Sequence, residues 1–210
     1  MTDSTAPQPI RSVLLVTNPL SGHGRGLTAA AAAATRFTDR GVRVTEVRGG
    51  TAEESVRQVR AALAAADAPD AVVCAGGDGL VCITLGALAG SAVPLGLVPG
   101  GTGNDLAREL GVPEHDPIAA ADVVLDGRVR RVDLGTVESS TAPIRFATVV
   151  GTGFDARVTL RANRMRYPGD RCATPSPRWP RWRAGWPCRI GSNCPVCLGN
   201  RTVRWSRSRR

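Results

Sequence analysis

Lysine is absent from this chain of 210 residues: all 27 basic residues are arginine. Neither a phosphate-loop lysine nor a Schiff-base lysine can therefore belong to its mechanism. Long apolar runs are also missing, and none approaches the roughly 18 residues of a membrane span. No basic leader precedes the first apolar run, Val13-Leu14-Leu15-Val16, so a soluble cytoplasmic protein is expected. With 42% hydrophobic residues, the chain has material for one core of ordinary size, or for one complete domain and part of another.

Tryptophan is missing from the first 167 residues, and so is any net charge, because 17 arginines there face 17 acids. The formal charge of +9 resides wholly in residues 168–210, which hold ten arginines, one acid (Asp170), all four tryptophans (Trp179, Trp182, Trp186, Trp205) and four of the six cysteines. A GC-rich gene read out of frame produces such a composition, and this is the preferred reading of the segment. Its six prolines interrupt any helix, and its apolar residues follow neither a period of two nor one of 3.6, so an unstructured tail is expected. Cys172, Cys188, Cys194 and Cys197 have the number for a tetrahedral zinc site, but only one Cys-x-x-Cys pair is present and the spacing favours incidental cysteines. Arginine interleaved with tryptophan is also the composition of single-strand nucleic-acid binders. No recognised module accompanies it, so no specific nucleic-acid partner is expected, only adventitious binding to polyanions.

The first 167 residues alternate strand and helix signals. Val13 to Thr17 reads as a buried strand that feeds Asn18-Pro19 and the loop Ser21-Gly22-His23-Gly24-Arg25-Gly26, and an Ala-rich helix follows over about 27–37. Val42, Val44 and Val47 mark a second strand. Thr51-Ala52-Glu53-Glu54 has capping-box spacing for a helix to about Ala66. A third strand, 71–74, leads into Gly76-Gly77-Asp78-Gly79 and a helix over about 80–88. A fourth, 95–98, leads into Gly100-Gly101-Thr102-Gly103-Asn104-Asp105 and a short helix to Leu110. After the cap pair Asp116-Pro117 comes a helix to Leu125. The pattern predicts an α/β domain over 11–126, a parallel sheet flanked by helices on both faces. Segments 128–137 and 144–150 read as consecutive strands, so a β-rich domain is expected to begin over 127–167, with a last helix over 156–165.

Ligands of such sheets bind beyond the carboxyl ends of the strands, where all three Gly-rich turns fall. Glycine there lets several N–H groups point one way, and the following helix adds its positive end, which together suit phosphate. Asp78, between glycines at a strand-to-helix turn, is placed to hold Mg2+ directly or through water against a polyphosphate. Thr102 and Asn104 are candidate donors to phosphate or ribose oxygens. Each turn alone is equally consistent with simple tight turns and caps; together they favour a nucleotide site.

Val72-Val73-Cys74-Ala75-Gly76-Gly77-Asp78-Gly79, followed by Pro94-Leu95-Gly96-Leu97-Val98-Pro99-Gly100-Gly101-Thr102-Gly103-Asn104-Asp105-Leu106-Ala107-Arg108, resembles the diacylglycerol kinase catalytic domain of bacterial lipid kinases and sphingosine kinases. Asn18-Pro19-Leu20-Ser21-Gly22, Val132-Asp133-Leu134-Gly135 and Gly153-Phe154-Asp155-Ala156 extend the resemblance over about 11–167. The resemblance implies transfer of the ATP γ-phosphate to the hydroxyl of diacylglycerol or a related lipid, with Mg2+, between an α/β nucleotide domain and a C-terminal β-sandwich. It implies that Asn18, Ser21 and Gly22 line the phosphates, that Gly76, Gly77, Asp78 and Gly79 cradle them, and that Gly101, Thr102, Gly103 and Asn104 complete the site. It also implies a cytoplasmic enzyme that meets its lipid peripherally at the membrane surface and admits a homodimer. Gly-Gly-Asp-Gly alone is shared with NAD kinases and phosphofructokinases, which keeps an NAD-kinase-like small-molecule kinase as one alternative and a polyanion-binding protein acting through the basic tail as another.

The chain departs from the family pattern at Leu80, where many members have Thr, and at Cys82 and Ile83, where many have Asn and Glu. The family's base is a Glu of the C-terminal domain, whereas Glu138 is the last Glu here and Asp170 the last acid. A poor or inactive kinase is therefore expected even where ATP binds, with Asp78, Asp105 or Asp155 as the alternative source of a base.

Overall fold

The computed structural model describes residues 9–18, 25–138, 143–151 and 153–164. The frame is a four-stranded sheet: β1 (Ser12–Thr17), β2 (Arg43–Arg48), β3 (Ala71–Gly76) and β4 (Leu95–Pro99) lie in the order β2-β1-β3-β4, and every pairing is parallel. β1 and β3 are buried along their whole length, which is why both read as continuous apolar runs instead of alternating ones. β2 at the edge carries Arg43, Glu46 and Arg48.

Successive strand residues face opposite sides and so build two cores. Val13, Leu15, Val73, Ala75 and Val98 pack under α1 (Arg25–Asp39) and α5 (Pro117–Leu125), meeting Ala29, Ala33, Phe37 and Ala120. Leu14, Val16, Val72, Cys74 and Leu97 pack under α2 (Ala52–Ala64), α3 (Asp78–Ala87) and α4 (Asp105–Glu109), meeting Val59, Leu80, Val81 and Leu106. The expected sheet with helices on both faces is thus the observed one.

Helix starts follow their caps. The Thr51 hydroxyl accepts from Glu54 N at 3.1 Å, and the Glu54 carboxylate accepts from Gly50 N at 3.0 Å, one residue earlier than an ideal capping box would have it. Asp116 accepts from the amides of Ile118 and Ala119 ahead of Pro117. Arg36 of α1 holds Asp122 of α5 through two bonds of 2.8 and 3.0 Å, fastening the two helices on that face; this pairing keeps the Asp122 carboxyl below the usual carboxylate range.

Two compact units divide the described chain, 9–135 with 145–148 in the first and 136–144 with 149–164 in the second. β5 (Gly135–Val137) and β6 (Ile144–Phe146) pair as a separate two-stranded sheet, and α6 (Phe154–Arg164) follows. The long strands expected over 128–137 and 144–150 shrink to three residues each. Arg128, Arg130, Arg131 and Asp133 are exposed, as is Val132, so the alternation of charge and valine there has no buried face to reward it. The last helix begins at Phe154, two residues earlier than expected. Residues 168–210, with their cysteines and tryptophans, lie outside the described residues.

Candidate functional site

In the order β2-β1-β3-β4 the connections leave β1 and β3 in opposite directions, so the topology reverses between those two strands at their carboxyl ends. The turns after β3 and β4 and the first turn of α1 meet there.

Gly76 ends β3 and Gly77 caps α3, but Asp78 and Gly79 already belong to that helix. The expected loop is therefore two residues shorter, because the amides of Leu80 and Val81 bond back to the Gly77 carbonyl at 3.0 and 3.2 Å. Asp78 becomes a first-turn carboxylate at the positive end of a helix. Its Oδ1 accepts a long bond, 3.4 Å, from Leu106 N, and its Oδ2 lies against Gly103, where an added Cβ would come within 2.8 Å.

The β4 turn packs backbone to backbone on its neighbours. A Cβ at Gly101 would stand 2.5 Å from Gly77 Cα, and one at Gly100 would stand 2.7 Å from Gly26 Cα in the first turn of α1. Side chains fix the path between these contacts. Asn104 adopts φ 53 and ψ 39, accepts from Gly101 N at 2.9 Å and donates to Gly101 O at 3.0 Å. Arg108 donates to Gly103 O at 2.6 Å and is itself held by Glu114 and Asp105 at 3.1 Å. Thr102 is exposed at the tip of the turn. Asn104 is buried, and its amide closes the loop on both sides of Gly101 instead of facing outward.

Thr17 ends β1, 1% exposed, and its hydroxyl is the buried side-chain polar atom left without a hydrogen-bond partner among the described residues. Asn18 follows, half-buried; Ser21, Gly22 and His23 lie outside the described residues. Between the ends of β3 and β4, a crevice lined by Cys74, Val81, Leu97, Asn104 and Ala107 runs beneath the turns, with room for about one water molecule. Burial pushes the Cys74 thiol up to about 12, so it stays protonated and is no nucleophile.

At the three departures from the family pattern, Leu80 is buried beneath Gly76, Ile83 is half-buried, and Cys82 donates to Arg145 O at 3.2 Å. These positions serve packing. Sequence reasoning missed Gly26, Arg108 and Thr17. Gly26 looked like loop, Arg108 like part of a motif and Thr17 like strand; only the hydrogen-bond count and the close backbone approaches single them out.

Residues 12–137 match the family model of the diacylglycerol kinase catalytic domain. A diacylglycerol kinase of Mycobacterium tuberculosis (strain H37Rv) is 49% identical over 163 residues, 77% of this chain and 52% of that protein. A diacylglycerol kinase of Bacillus subtilis (strain 168) is 38% identical over 86 residues, 40% of this chain and 27% of that protein. The chain spans about half the length of the M. tuberculosis relative. A solved structure of a putative diacylglycerol kinase from Bacillus anthracis superposes with a TM-score of 0.53 at 26% identity, covering 62% of this chain and 44% of that one. With the glycine turns where the motifs place them, and a family model matched over more than half of its length, the chain belongs to the diacylglycerol kinase catalytic domain family.

Proposed function

We propose that residues 12–137 form the nucleotide-binding part of a lipid kinase that transfers the γ-phosphate of ATP to the hydroxyl of diacylglycerol or a related lipid presented at a membrane surface. The observation that carries this reading is the convergence of two Gly-rich turns with a helix start: Gly26 against Gly100 and Gly77 against Gly101 bring the start of α1 and the ends of β3 and β4 into one backbone-walled surface. Gly101's amide is taken by Asn104, whereas those of Thr102 and Gly103 make no hydrogen bond among the described residues and are free to meet phosphate oxygens. No helix among the described residues is long and apolar enough to cross a membrane, which suits an enzyme that meets its lipid peripherally.

Asp78 suits a divalent cation. Its Oδ2 makes no hydrogen bond among the described residues, so one carboxylate oxygen at the amino end of α3 is left to meet a hydrated ion. Mg2+, when bound, would neutralise charge on the β- and γ-phosphates. The protein's own contribution is then to fix the phosphates through the Gly-rich turns and the exposed Thr102. Calorimetry with ATP and Mg2+ tests the nucleotide part: binding that requires the metal and weakens in Asp78→Asn supports it, and equal affinity in the variant removes Asp78 from the site. Radiolabelled transfer to diacylglycerol in mixed micelles, set beside transfer to a sphingoid base and to NAD, identifies the acceptor; phosphorylation of NAD alone would overturn the lipid reading.

A further inference from the structure

The orphaned hydroxyl of Thr17 bears on the nucleotide site and rests on the reading just given. Thr17 belongs to the same face of β1 as Val13 and Leu15, the face covered by α1, and its register partner on β3 is Ala75 of that same core. It is the last residue of the strand, level with Ala75 and Val98 and two residues short of Gly100, which touches Gly26 in the first turn of α1. Its buried hydroxyl therefore belongs to the face that α1 covers, at the strand end nearer the amino end of that 15-residue helix, whose first turn carries no acid. A buried hydroxyl without a partner destabilises a fold, and valine, of the same shape, would fill the place without that cost. The residue is therefore the wrong choice for packing alone. The helix end supplies a positive field and the hydroxyl a donor, and an anionic oxygen answers both.

We propose that Thr17 is a positioning residue of the nucleotide site, its hydroxyl donating to a phosphate oxygen of bound ATP, directly or through one water, from beneath the amino end of α1. In the free protein the hydroxyl stays unpaired, and the nucleotide pairs it.

The proposal makes stability and affinity move in opposite directions. Thr17→Val removes the hydroxyl and keeps the shape: its unfolding temperature without nucleotide should equal or exceed that of the unmodified protein, while its affinity for ATP with Mg2+ should fall about tenfold or more, as loss of a hydrogen bond to a charged oxygen requires. Thr17→Ser keeps the hydroxyl and should retain most of the affinity. Both are measured by thermal unfolding and by calorimetry with ATP and Mg2+ on the full chain. A purely structural threonine would instead lose stability on conversion to valine, with affinity following stability, and that result overturns the proposal. Equal affinity of the valine variant and the unmodified protein overturns it as well. Absence of ATP binding by the unmodified protein is a different failure, that of the nucleotide reading itself.

Discussion

Two glycines of the same site should respond oppositely to alanine. At Gly101 the added Cβ would stand 2.5 Å from Gly77 Cα, a contact with backbone that no side-chain rotation relieves. The β3 and β4 turns must move apart, and overpacking of this kind costs about 1–3 kcal/mol. At Gly79, in the first turn of α3, an added Cβ meets nothing within 4 Å, and alanine is the better helix former by up to about 1 kcal/mol. For a domain of this size each kcal/mol shifts the unfolding temperature by roughly 2–4 °C. Gly101→Ala should therefore lower it by roughly 2–12 °C and Gly79→Ala should leave it unchanged or raise it by up to about 4 °C. The open space at Gly79 has a second consequence. If phosphates approach the first turn of α3 as proposed, the added methyl group stands in their way, so Gly79→Ala should weaken binding of ATP with Mg2+ even as it stabilises the fold. Differential scanning calorimetry and titration calorimetry on the two variants decide the matter. If Gly101→Ala proves no less stable than Gly79→Ala, the two turns are not in backbone contact, and the account of the site as a surface walled by glycines is refuted.

Asn104 combines a left-handed backbone with two bonds to Gly101, so Asn104→Ala should cost about 2–4 kcal/mol in urea unfolding, whereas Asn104→Gly recovers the backbone part and costs less; equal losses would show that conformation contributes nothing. Asp70 sets a pH dependence: its slight burial alone would raise its pKa, but the amide of Arg11 and the hydroxyl and amide of Ser12 outweigh this and hold it below the usual carboxylate range. The unfolded chain then binds more protons than the folded one, so the contribution is present above the unfolded value of about 3.9 and is lost as pH falls through the lower folded value. Urea midpoints between pH 2 and 6 should show a step at acid pH that Asp70→Asn removes, and a step of unchanged size in the variant would assign it elsewhere.

Much of the fold is legible in the sequence because burial on both faces leaves its mark on composition. β1 and β3 carry apolar residues at every interior position, a signature that a strand with one wet face does not show, and each run ends in a turn rich in glycine. Thr51 and Asp116 announce their helices because a side-chain oxygen is the cheapest partner for a first-turn amide. The signal weakens beyond Leu125. Residues 128–134 have the valines of a strand, yet strand formation there depends on a partner and a buried face, and neither is encoded in the segment itself.

The site is legible to a different depth. Its glycines stand out by motif, but the motif does not say what each is for. Composition suggests that all of them shape loops around phosphate, whereas in the structure Gly100 lies against Gly26 and Gly101 against Gly77, backbone to backbone, and Gly79 opens onto free space. Asn104 looks like a ligand donor because it is polar and beside glycine, and it proves to be the clasp of its own loop. Thr17 gives the converse case, a threonine that β propensity explains completely and that the hydrogen-bond count leaves unexplained. Polar residues at such a site divide into those that satisfy one another and those left waiting, and only three-dimensional accounting tells them apart. On that division Asn104 and Arg108 hold the shape, while Asp78 Oδ2 and the Thr17 hydroxyl are left without a hydrogen bond among the described residues.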